Sequence, residues 1–292
     1  MTMSISVVRE HSLTASLTLQ SVLQRHVYWL SLLLGVVGAV TTALTLFVPD
    51  ILTGPAVTNG NARGTALVML ALAIPGLFIS MWRQNLGSWR ALIAWLGYLG
   101  YLLYNSFLLL FATPANRLFL LYVATFSLAV FSVVSLLRTA DIRGLSERLQ
   151  QLPHRGLAVY IWTVVVLNVL AWMRTIVPAL LDNDLTPLTQ GSGVATNPIY
   201  IQDLGFWLPL MAVTAWWLWR RRTWAIYVSG GWLFYGVLES IGVAVDQWFG
   251  HQADPTSPLA SIGAIWLMTA MAVIGLVPVY FFFRRDRHQT VS

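Results

Sequence analysis

"GWLFYGVLESIGVAVDQW" occupies residues 231–248, and its only charged side chains are Glu239 and Asp246. A helix needs about 20 predominantly apolar residues to cross the hydrocarbon core of a bilayer. The stretch meets that length together with its flanks, so it reads as a membrane helix that carries carboxylates. Within it, Trp232, Tyr235, Glu239, Gly242 and Asp246 follow at intervals of three and four. That spacing places all five on one face of a helix.

The rest of the chain supports the membrane reading. Of 292 residues, 57% are hydrophobic and 10% charged, and the mean hydropathy is +0.70. Soluble domains carry about 25% charged residues. Seven further runs resemble the first, giving spans at roughly 27–48, 64–82, 89–112, 117–138, 156–178, 200–219, 223–248 and 258–283. The fold class expected is an all-α integral membrane bundle of eight transmembrane helices. Its transmembrane domain covers 27–285, in halves 27–138 and 156–285. Residues 1–26 read as a cytoplasmic N-terminal tail without the features of a cleavable signal, and 286–292 as a short cytoplasmic tail. The linker 139–155 spaces Ile142, Leu145, Leu149 and Leu152 as an amphipathic helix lying at the membrane surface.

Orientation follows from the basic residues. All 17 are arginine, and the net charge is +6. They gather before the first span, around 83–90, across 138–155, at 220–222 and after the last span, whereas the alternate connections hold only Arg63 and Arg117. The positive-inside rule then puts both termini in the cytoplasm, which requires an even number of spans. The same clustering in short loops argues against nucleic acid as a partner and leaves membrane lipids as the expected surroundings. The absence of cysteine excludes disulfides and thiol chemistry. The absence of lysine excludes a Schiff base.

The halves share landmarks. "FVP" (47–49) and "IVP" (176–178) close the first and fifth spans, Pro75 and Pro209 lie in the second and sixth, and Trp89 and Trp224 open the third and seventh. A parallel four-plus-four duplication would produce them, and so would coincidence among similar apolar segments. Parallel repeats occur in transporters, with sites between the repeats. Under a duplication Tyr104 and Asn105 would correspond to Glu239 and Ser240.

Polar residues concentrate in the outer half of the spans. The third span offers Tyr98, Tyr101 and Asn105 on one face, with Tyr104 beside it; the fifth has Asn168, Trp172 and Arg174; the sixth opens with Tyr200 and Asp203. A charged group at the bilayer centre costs about 2.5–3.5 kcal/mol on insertion scales, so such residues face the interior, pair, or line a wet cavity. For Glu239 three roles stand open: a structural partner of Arg174 or a tyrosine, a ligand, ion or proton site in an outward-facing cavity, and catalysis. The candidate ligand-binding set is Glu239, Asn105, Tyr101, Tyr104, Arg174, Asp203, Tyr235 and Asp246, with Arg174 as counter-charge. No motif supports catalysis: "GSG" (191–193) lacks the setting of a phosphate loop, and no serine sits in a nucleophile elbow. Asp246, His251 and Asp254 in "DQWFGHQAD" read as a solvated loop rather than a metal site. Neither cofactor nor metal is expected.

"GYLLYNSFLLLF" (100–111), "LFLLYVATFSL" (118–128) and "NPIYIQDLGFWLPL" (197–210) resemble segments of a group of bacterial polytopic membrane proteins marked by YLLYN and NPxxxxDLGFxLP. The resemblance implies a bacterial plasma membrane and draws attention to Asn105 and Asp203, without implying an activity. The expectation is binding or transport of a small molecule or lipid through a cavity open to the outer leaflet. A membrane enzyme acting on a lipid-linked substrate and a structural or assembly subunit are the alternatives.

Overall fold

The computed structural model describes residues 3–140, 153–189 and 191–284, with side chains from Arg25 onward. Among these residues the chain is helical, with no strand. Helix α1 spans Met3–Phe47, α2 Ala56–Asn85, α3 Trp89–Phe111, α4 Phe119–Thr139 and α5 His154–Leu181. The run 198–219 is α6, α7 is Thr223–Ala253 and α8 is Ile262–Arg284. Seven helices are long and apolar enough to cross a membrane: α2 to α5, α7, α8 and the Arg25–Phe47 part of α1. Helix α6 carries Gln202 and Asp203 and is not one of the seven.

Helix α1 begins at Met3, so the residues before the Arg25–Phe47 span are helical and continuous with it. No glycine or proline interrupts the chain between Met3 and Leu34, so nothing there stops a helix from propagating. The amphipathic linker and the C-terminal tail lie outside the described residues, apart from the ends of the linker.

Both Pro75 and Pro209 follow a π-helical turn, Met69–Ala73 in α2 and Asp203–Trp207 in α6. Proline has no N–H to donate, and its ring crowds the carbonyl four residues earlier. Those carbonyls belong to Ala71 and Gly205, each within its π turn. Widening the helix by one residue relieves the clash and keeps α2 and α6 helical throughout.

Helices α1 to α4 enclose one another: α1 packs on both α2 and α4, and α3 on both α2 and α4. Polar pairs tie this ring together inside the apolar layer. Thr41 and Thr125 hydroxyls lie 3.0 Å apart, Thr45 Oγ1 lies 3.0 Å from Tyr122 Oη, and Trp95 Nε1 donates to Ser31 Oγ at 3.1 Å. In the second half α6 packs on α5, and α7 on α8, but α5 and α8 touch only marginally. That half stays open on one side.

Helix α7 is the axis of the molecule, packed against α2, α3, α6 and α8. Glycine makes the approach to α2 possible. A Cβ on Gly60 would sit 2.5 Å from the Phe249 carbonyl oxygen, and one on Gly64 would sit 2.5 Å from Asp246 Cα. The two backbones therefore touch, as in small-residue seams of membrane helices. Gly242 admits Tyr101 of α3 in the same way, a Cβ there falling 2.6 Å from the Tyr101 hydroxyl.

Candidate functional site

Where α3, α6 and α7 meet, the polar residues of the three helices converge. Asn105 is only 3% exposed. Its amide nitrogen donates to Glu239 Oε2 at 3.0 Å and to the Tyr101 carbonyl at 3.1 Å. Glu239 is half-buried, and its other carboxylate oxygen makes no hydrogen bond. The face expected from the stripe on α7 is thus turned toward α3, as the cost of presenting a carboxylate to lipid requires.

A second carboxylate, Asp203, stands in the π turn of α6 and is 8% exposed. Tyr104 Oη donates to its Oδ1 and Trp172 Nε1 of α5 to its Oδ2, both at 2.9 Å. Gln202 beside it donates to the Tyr104 carbonyl at 3.1 Å. Three helices thus meet on Asp203, with both carboxylate oxygens satisfied by neutral donors.

Between the two carboxylates lies a group of aromatic rings. Trp207 stacks on Tyr104 with centroids 5.7 Å apart and an interplanar angle of 13°. Tyr235 meets Tyr104 at 5.8 Å and Trp207 at 5.7 Å. Trp232 meets Trp207 edge-on at 5.3 Å, and its indole N–H donates to Thr214 at 3.1 Å. Edge-to-face and offset arrangements of this kind contribute beyond the area they bury.

The site is not fully satisfied internally. Tyr101 Oη, Gln202 Oε1, Trp207 Nε1 and Asp246 Oδ1 are buried without a hydrogen-bond partner. Buried polar groups are paired in the great majority of cases, and these four are exceptions. Tyr101 is 0% exposed, and its hydroxyl rests against Gly242, between the turns that carry Glu239 and Asp246.

Seven of the eight residues singled out from the sequence, namely Glu239, Asn105, Tyr101, Tyr104, Asp203, Tyr235 and Asp246, fall in this region. Arg174 does not join them. It is exposed on α5, and the partner of Glu239 is Asn105. The reason is helical geometry: two residues advance the direction by about 200°, so turning Trp172 inward to Asp203 turns Arg174 away. Asp246 sits at the edge of the region. In the orientation its surroundings require, the Asn61 amide donates to the Asp246 backbone carbonyl at 3.0 Å, which joins α2 to α7 there.

Gln202 and Trp207 belong to the site and were not anticipated. An amide next to an aspartate inside an apolar run was the available signal for Gln202. Trp207 offered none, because tryptophan is common at membrane interfaces.

A Cβ built on Gly236 meets nothing within 4 Å. Gly236 lies one turn before Glu239 and Ser240 on α7. Comparison with protein-family models, with curated proteins and with solved structures returns no match to this chain.

Proposed function

We propose that the protein crosses a bacterial plasma membrane eight times, with both termini cytoplasmic, and binds or transports a small molecule or lipid. The ligand sits at the α3–α6–α7 junction and is reached through a cavity open toward the outer leaflet. Two observations support α6 as the eighth span. Its 22 residues (198–219) are helical throughout, and at about 1.5 Å per residue they extend 22 × 1.5, or about 33 Å, against a core of about 30 Å. It also lies packed between α5 and α7. The matched π turns before Pro75 and Pro209 support a four-plus-four duplication. On that reading the second copy departs from the first by leaving α5 and α8 apart.

The observation that carries the functional reading is Glu239: half-buried, held through one oxygen by Asn105, and beside the open space at Gly236. A purely structural subunit would need that carboxylate fully paired in closed packing, so its free oxygen counts against the scaffold alternative. The test is native mass spectrometry of protein extracted gently from its membrane. The wild type is expected to carry a co-purifying molecule, and Gly236→Leu, which fills the open space, to lose it while melting near the wild-type temperature. A wild type free of any adduct, or an adduct retained by Gly236→Leu and Glu239→Gln alike, would overturn the proposal.

A further inference from the structure

We infer that the molecule held at this junction is an organic cation, a membrane-soluble ammonium compound. The inference rests on the ligand-binding reading above and names the class of ligand.

Charge is the first argument. Adjacent residues of α3 link two of the carboxylates: Tyr104 donates to Asp203 and Asn105 to Glu239. Arg174, the counter-charge expected from the sequence, is exposed on α5, and each hydrogen bond to the Asp203 and Glu239 side chains comes from a neutral donor. A carboxylate in the apolar layer without a cationic partner is unfavourable, and a cation that binds between Asp203 and Glu239 relieves both.

The second argument is the wall. Tyr104, Trp207, Trp232 and Tyr235 form one contiguous group of ring faces and edges beside the carboxylates. Ring faces attract ammonium groups, most strongly where water is excluded. An anionic ligand would gain nothing from this combination.

The third argument is the unpartnered hydroxyl of Tyr101, fully buried and directed at Gly242 between the turns bearing Glu239 and Asp246. Its lone pairs serve a cationic N–H or N–CH₃ group without any rearrangement of α3. A metal ion fits poorly. Among the described residues no three histidine, aspartate or glutamate side chains converge on a point. Glu239 and Asp246 are seven residues apart, about 10 Å along α7 at about 1.5 Å per residue. An extended organic cation spans such a distance, and a single ion does not.

The experiment is isothermal titration of the full chain, purified in nonionic detergent, with two ions of matched size and opposite sign: benzyltrimethylammonium and phenylmethanesulfonate. Saturable binding of the ammonium and none of the sulfonate is expected. Glu239→Gln should weaken the ammonium about ten-fold or more, equivalent to about 1.4 kcal/mol. Asp246→Asn provides a second reading should Glu239→Gln fold poorly, and each variant is melted in parallel. The inference falls if the sulfonate binds as tightly as the ammonium, if neither binds, or if both carboxylate variants, folded, keep wild-type affinity. A co-purifying molecule lost in Gly236→Leu would then show that the site stands and only the ligand class was wrong. Its absence as well would remove both readings.

Discussion

Replacing Gly64 with alanine adds a single carbon at the tightest crossing in the molecule. That carbon would lie 2.5 Å from Asp246 Cα, 2.8 Å from the Val245 carbonyl oxygen and 2.9 Å from the Asp246 nitrogen. Carbon atoms pack best at about 3.5–4.0 Å, so 3.5 − 2.5 requires the helices to separate by about 1 Å. All three obstructing atoms are backbone, and no rotamer change relieves them. Overpacking of this kind costs about 1–3 kcal/mol. The separation would also stretch the Asn61 contact to the Asp246 carbonyl from 3.0 Å beyond hydrogen-bonding range. Interhelical hydrogen bonds in membranes contribute about 0.6 kcal/mol on average. Alanine returns up to about 1 kcal/mol through its helix propensity. The net expected loss is about 0.6–2.6 kcal/mol, or roughly 1–10 °C on the scale of larger soluble domains. Thermal unfolding in detergent measures it. Gly205→Ala is the control, because its new carbon meets nothing within 4 Å and should leave stability equal or raise it. If Gly64→Ala melts within a degree of wild type, or if both variants shift in the same direction, the glycine seam between α2 and α7 is not what holds them together.

Three further outcomes follow from the same contacts. Tyr104→Phe and Trp172→Phe should each lower stability by about 1 kcal/mol, and the double variant should deviate from their sum, because both donors serve the one carboxylate of Asp203; a double-mutant cycle measures the coupling, and additive losses would contradict it. Thr45→Val removes the hydroxyl that meets Tyr122 and should destabilise by about 0.6 kcal/mol with no effect on ligand binding, a pair of results read from melting and titration. Reporter fusions within 48–55, 112–118, 182–197 and 254–261 should all report an extracytoplasmic location, and one cytoplasmic signal would break the eight-span arrangement.

Much of this molecule is legible along the chain because a bilayer is a demanding solvent. Backbone groups without water must be satisfied within each segment, so apolar runs of sufficient length become helices whatever their neighbours do. That reasoning reaches the helices, the short turns between α2 and α3 and between α6 and α7, and the stripe from Trp232 to Asp246. The cost of an exposed carboxylate also settles that Glu239 turns to another helix. Which helix, and which residue, is a different matter. Asn105 rather than Arg174 meets Glu239 because α5 spends its inner face on Trp172 and Asp203, and the phase of one helix against another is set by the packing of both. The seam of Gly60 and Gly64 against α7 and the π turn that brings Asp203 to Tyr104 arise in the same way. Each depends on how closely two backbones can approach, and that distance is fixed only when all the helices are packed together.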